Sequence, residues 1–286
     1  LGTVLTKYAL GGFTSLTLLP LQLVFSVIFL AAVLAIRQDR PRLTVENRRV
    51  AMLGILNPGV AYALGLLGLS RIDASISVVL WATEPLIIMV LAVLILRERV
   101  TASNALALGV AMTGVLLIVG KPSGTATLIG VLLTLAAVAA CALYSVILRG
   151  MHLTDGTTSI VFLQQVAALA FAAVVLAAVL LFRGASLTDP TALQSAAAVS
   201  GGVLYYGAAF LLFVSGLRAT TAARAGLYLT LIPVFGLLFS SALLGERLGS
   251  RQLAGAALVV GAMAAFSLQE LFSDRRTAAA DAHALP

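Results

Sequence analysis

Runs of about 20 apolar residues alternate with short polar stretches nine times along the chain, over approximately 16–36, 50–69, 75–96, 105–119, 128–148, 160–182, 196–215, 227–244 and 253–271. A helix rising 1.5 Å per residue needs about 20 residues to cross a hydrocarbon core, so each run predicts one membrane-spanning helix. Barrel strands would alternate apolar and polar positions, whereas 172–181 is apolar throughout. Helices are the spanning structure left, because lipid offers the backbone no partners. A shorter apolar run, 1–10, ends at Gly11-Gly12 and lacks the basic start and small-residue cleavage site of a signal peptide. It is expected to be the end of a further, truncated transmembrane helix. The expected fold is an all-α polytopic membrane protein of ten transmembrane helices. The polar, Ala-rich stretch 273–286 is expected to fray as a flexible cytoplasmic tail.

Composition excludes the alternatives. Of the 286 residues, 61% are AVILMFWYC and the mean hydropathy is +1.09. A soluble fold of this size cannot hide that much apolar surface. The formal charge of +7 lies in clusters between the runs and forms no basic face, so nucleic acid is not an expected partner. With ten spans, the loops on the side of the termini hold 12 Arg against 5 Arg and Lys on the other side, Lys7 being left uncounted within its helix. That bias predicts both termini in the cytoplasm. The single Cys141 excludes an internal disulfide and a multi-cysteine metal site. His152 and His283, the only histidines, fall in a loop and in the tail, and no His-Glu-x-x-His, Gly-x-Ser-x-Gly or Walker pattern occurs. No enzyme, metal or cofactor is expected.

A shift of 148 residues superposes Gly68-Leu69 on Gly216-Leu217, Ala74 on Ala222, Pro85 on Pro233 and Glu98-Arg99 on Glu246-Arg247. This predicts a duplication, with one repeat over 1–120, a second over 121–272 and the tail at 273–286. Five helices per unit insert the second unit upside down, which is the 5+5 inverted repeat of alternating-access carriers. Pro85 and Pro233 bend their spans at matched depths, either as gating hinges or as ordinary bends of membrane helices. Glu98-Arg99 and Glu246-Arg247 mark the membrane boundary and are expected to pair structurally, with each other or with a neighbouring loop.

These marks, with Gly109 and Gly114 in the first half and Gly255 and Gly261 in the second, resemble the EamA branch of the drug/metabolite transporter superfamily, and most closely its bacterial inner-membrane exporters of aromatic amino acids. The resemblance runs from Lys7 to about Leu268. It implies outward movement of amino acids or related small metabolites through a central cavity.

Polar and aromatic side chains inside spans are the candidates for such a cavity, because lipid gives them no partner. They are Asn57 and Tyr62 in the third span, Trp81 and Glu84 in the fourth, Tyr144 and Gln164 in the sixth and seventh, and Tyr205, Tyr206 and Tyr228 in the eighth and ninth. Trp81 and Glu84, three residues apart, share a helix face, and Asn57 shifted by 148 lands on Tyr205. Rings can stack on a planar side chain while amides and hydroxyls hold an amino acid's polar end. Glu84, the only carboxylate well inside a span, is left three roles: it attracts a cargo ammonium, carries a proton in exchange, or holds an Arg or the backbone near Pro85. Lys7 either contacts the cargo carboxylate or snorkels to a helix end. The expected protein is a monomeric carrier in the lipid bilayer of the bacterial inner membrane, with a channel-like facilitator or a structural or signalling membrane protein as the alternatives.

Overall fold

The computed structural model describes residues 2–42, 44–119, 127–151, 155–183, 189–235, 238 and 249–283. The described chain is helical in every regular element. The helices are α1 (Gly2–Ala9), α2 (Ser15–Arg37), α3 (Val45–Gly54), α4 (Ala61–Leu69), α5 (Ala74–Trp81), α6 (Glu84–Leu96), α7 (Ala102–Val119), α8 (Leu128–Gly150), α9 (Thr157–Arg183), α10 (Ala192–Ser200), α11 (Phe210–Ala219), α12 (Ala222–Leu229) and α13 (Ser250–His283). Two π-helical segments, Ile55–Val60 and Gly201–Ala209, join α3 to α4 and α10 to α11.

Among the described residues, six helical stretches are long and apolar enough to cross a membrane: Ser15–Arg37, Val45–Leu69, Ile76–Leu96, Leu128–Gly150, Thr157–Phe182 and Ala192–Ala219. Three shorter apolar helices, Ala102–Ile118, Ala222–Phe235 and Ser250–Phe266, stand beside them. The chain is thus a multi-pass all-α membrane protein, with six spans of full length where ten helices are expected. The ninth expected span is described only as far as Phe235 and Leu238, and Glu246 and Arg247 lie outside the described residues, as do His152 and Lys121. The last helix continues to His283, past the 271 expected for its span. Ala278, Ala279 and Ala280 there are residues of the highest helix propensity, which supports the continued helix.

Threonine starts many of these helices. Thr14, Thr44, Thr127, Thr191 and Thr221 each accept a backbone N–H of the first turn on the side-chain oxygen, and Thr191 with Gln194 completes a capping box. At the other ends, Gln38 and Arg97 close α2 and α6 in the left-handed conformation. Asn57 leaves helical dihedrals at φ −146° and ψ 118°. Pro58 follows it, and the clash with the proline ring drives the preceding residue to extended backbone.

The element boundaries themselves repeat. α5 and α12 begin and end 148 residues apart, α7 and α13 begin 148 apart, and the π segments correspond. Packing repeats as well, with a slightly different offset for the second helix of each set. A Cβ built on Gly54 would run into the Gln164 carbonyl, and one on Gly202 would sit 2.6 Å from the Gln22 carbonyl. Gly59 lies against Phe171 and Gly207 against Phe29. So α9 packs on the first π segment as α2 packs on the second. Finally, α7 and α13 lie side by side, and Gly114 and Gly255 each bring their carbonyl to 2.6 Å from the other's Cβ position, an approach that only residues without side chains allow.

Candidate functional site

A cavity of about 500 Å³ lies between elements of the two sets. Its wall is built by the helix breaks. Both α5 and α12 stop after eight residues, at Ala82 (φ −63°, ψ −12°) and Thr230 (φ −64°, ψ −15°), and the chain resumes as helix beyond each. Pro85 sits in the first turn of α6, where its missing N–H costs nothing, and the break places the Thr83 hydroxyl on the Leu80 carbonyl at 2.7 Å. The expected bend at Pro85 is therefore a local break in regular helix geometry at Ala82 and Thr83 within the stretch Ile76–Leu96.

Asn57, Tyr62, Trp81, Ala82, Glu84 and Pro85 line the cavity, and so do the residues 148 positions later, Tyr205, Phe210, Leu229, Thr230, Ile232 and Pro233. Six positions and their six counterparts thus face one space. The chemistry of the two sets differs: the carboxylate, the amide and the indole all come from the first. Tyr62 and Tyr205 stack with ring centroids 5.7 Å apart and planes 10° from parallel. Tyr206 stands edge-on to Tyr62 at 4.7 Å and is buried behind the pair.

Beyond Pro85, an apolar seal joins α6 to α8 and α12. Ile88 and Ala92 of α6 form a buried cluster with Ala142 and Val146 of α8 and Ala222 of α12. Gly226 lets α12 lie close to Ile88 and to the Pro85 carbonyl. Beyond the seal, the Glu98 carboxylate accepts from the N–H groups of Ala222 at 3.0 Å and Ala223 at 3.2 Å, which caps α12. Arg149 donates to the Thr220 carbonyl beside it. Glu98 therefore has a structural role, but on the N-terminal end of α12 instead of on a loop, and its expected partners Glu246 and Arg247 lie outside the described residues.

Five expected site residues lie elsewhere. Tyr144 donates to the Gln164 side-chain oxygen at 2.8 Å, and the Gln164 amide donates to the Val50 carbonyl at 3.2 Å, so both are spent on a buried tie between α8, α9 and α3. Tyr206 supports the ring pair from behind. Tyr228 is 42% exposed on the outer side of α12. Lys7 donates from Nζ to the carbonyls of Leu69 at 2.7 Å and Ile72 at 2.9 Å, the helix-end alternative. Lys7→Met should lower thermal stability by about 1–3 kcal/mol, the value of hydrogen bonds from a charged donor, and leave ligand affinity unchanged. A thermal-shift series with and without ligand checks both halves of that expectation.

The sequence reading missed Phe210, Phe213, Leu229, Ile232 and Cys141 as wall residues. The signal for three of them was available: shifting Tyr62, Trp81 and Glu84 by 148 gives Phe210, Leu229 and Ile232. Cys141 and Phe213 carry no such mark.

A model of the EamA-like transporter family matches residues 1–120 and 128–268. The chain belongs to that family. It is a family of transporters, not of enzymes, so the EamA-like chain is a small-molecule transporter of the membrane. Among its relatives is an uncharacterized transporter of Archaeoglobus fulgidus, 27% identical over 220 residues that cover 74% of each protein. The fold is also similar to that of a protein of known crystal structure, with a TM-score of 0.76 at 18% identity over 94% of both chains.

Proposed function

We propose that the chain is a secondary transporter that exports neutral amino acids, mainly aromatic ones, or related small metabolites by alternating access. Ten helices form two inverted five-helix halves in a bacterial inner membrane, with both termini cytoplasmic and one copy sufficient. The observation that carries this reading is the cavity wall of six residues and their six counterparts at a shift of 148. A site shared by two inverted halves can be exposed to either face by exchanging the shapes of the halves. The breaks before Pro85 and at Thr230 supply matched hinges, and the seal between α6 and α12 closes one end in this state. Trp81 and the Tyr62–Tyr205 pair offer faces for a planar side chain, while Glu84 can hold the cargo ammonium or exchange a proton for it.

The test is flux of radiolabelled amino acids through purified protein in liposomes, with and without a proton gradient. Saturable flux supports a carrier. Flux that does not saturate would replace it with a channel-like facilitator, and no flux with a structural role. Trp81→Ala should cut phenylalanine flux about tenfold, the order of a lost ring stack plus its burial, and leave alanine flux within about twofold. Equal losses for both cargoes would reject selective stacking.

A further inference from the structure

The polar groups of the cavity wall have an imbalance of charge. Among the described residues, the Glu84 carboxylate has no hydrogen bond or ion pair, and no Lys, Arg or His lines the cavity. Lys7, the one cationic side chain expected at the cargo site, spends its ammonium on two backbone carbonyls. Asn57 is 4% exposed, and its amide oxygen has no partner although the residue faces the cavity. Thr230 gives its hydroxyl proton to the Leu227 carbonyl at 2.7 Å, leaving lone pairs. The donors that remain on the wall, on Trp81, Tyr62 and Tyr205, are neutral.

A ligand carboxylate entering this space would be desolvated with no cation among the described wall residues to meet it, which is costly. An ammonium group meets the opposite situation. It pairs with Glu84 and carries its charge beside ring faces that attract cations. We infer that the cavity is a site for protonated amines with an aryl or alkyl body, and that the carboxylate of an amino acid is not part of what it recognises. The inference rests on the carrier reading of the same cavity and narrows the polar group it recognises in a cargo to the ammonium.

Phenethylamine, phenylalanine and 3-phenylpropionate carry a phenyl ring on similar short chains and differ chiefly in charge: cation, zwitterion and anion. Trp81 is the only tryptophan of the chain and lines the cavity, so its emission reports occupancy without any transport. In titrations of the full chain in detergent, phenethylamine should saturate at a concentration about tenfold below phenylalanine, and 3-phenylpropionate should produce no saturable change. Glu84→Gln should erase the advantage of the amine, while Glu84→Asp should keep most of it. The order of the three ligands on the native protein decides the matter even if a variant does not fold. Phenylalanine or the anion binding as tightly as the amine overturns the inference, as does an amine affinity unchanged by Glu84→Gln. Saturable phenylalanine flux in liposomes together with that result leaves the carrier reading standing. Absence of saturable binding and flux for all three overturns both.

Discussion

Gly54→Ala should abolish most of the folded protein, and Gly202→Ala should damage it in the same way. A methyl group on Gly54 would collide with the backbone carbonyl of Gln164, and one on Gly202 would stand 2.6 Å from the carbonyl of Gln22. Neither obstacle is a flexible side-chain end, so relief requires whole helices to separate. Overpacking of a close-packed interior costs about 1–3 kcal/mol where side chains can adjust, and a backbone obstacle puts these two at or above the top of that range. Gly109, Gly216 and Gly261 have open space where their Cβ would lie. Alanine there should be neutral or stabilising by up to about 1 kcal/mol, from helix propensity alone. Recovery of monodisperse protein after heating, measured for all five variants, tests the contrast. Gly54→Ala behaving like Gly109→Ala would refute the packing account. The consequence for function is direct, because α9 held against Gly54 and Gly59 fixes the segment that carries Asn57.

This pair of contacts also shows where sequence reading stopped. Apolar runs placed most of the helices to within a few residues, because lipid requires both length and apolarity of a span, but not the breaks after α5 and α12 or the extension of the last helix to His283. The shift of 148 was legible in the third, fourth and fifth helices of each set, where proline, glycine and Glu-Arg punctuate the pattern. The second helices repeat at 142 instead: Gln22 answers Gln164 and Phe29 answers Phe171. Most of the difference lies in the helices themselves, 27 residues in α9 against 23 in α2, and a search at one offset passes over it. The cavity was half legible. Asn57, Tyr62, Trp81, Glu84 and Tyr205 stood out as polar or aromatic residues in apolar surroundings, and all line it. Tyr144 and Gln164 stood out equally and satisfy one another instead. Polarity inside a membrane marks a residue that needs a partner; whether that partner is a ligand or a neighbouring helix depends on rotation about the helix axis. Apolar wall residues such as Phe213 gave no signal, since a cavity face and a packed face use the same side chains.

Removing the Glu98 carboxylate should open the sealed end of the cavity. Its two oxygens hold the Ala222 and Ala223 N–H groups, and they join the C-terminal end of α6 to the N-terminal end of α12 across the cluster of Ile88, Ala92 and Ala222. Hydrogen bonds to a charged acceptor contribute about 1.5–3 kcal/mol each when well shielded. Glu98 is partly exposed, and solvent screening reduces the pair to about 1–2 kcal/mol, or about a five- to thirtyfold change in the ratio of closed to open forms. Glu98→Ala loses both bonds. Glu98→Gln keeps one acceptor and should fall between Glu98→Ala and the native chain. Ala92 is fully buried in the seal, so a cysteine placed there in a Cys141→Ser background reports its opening through the rate of maleimide labelling. The expected order of rates is Glu98→Ala, then Glu98→Gln, then the native residue, with Glu98→Asp nearest the native rate if charge and reach both matter. Labelling at one rate in all four would mean that apolar packing alone closes this end and that the carboxylate only terminates α12. If the rates differ as expected while the Trp81 emission response to ligand keeps its affinity within the same five- to thirtyfold range, closure and ligand binding draw on separate groups: Glu98 sets which state is populated, and the wall between Asn57 and Pro233 sets what that state holds.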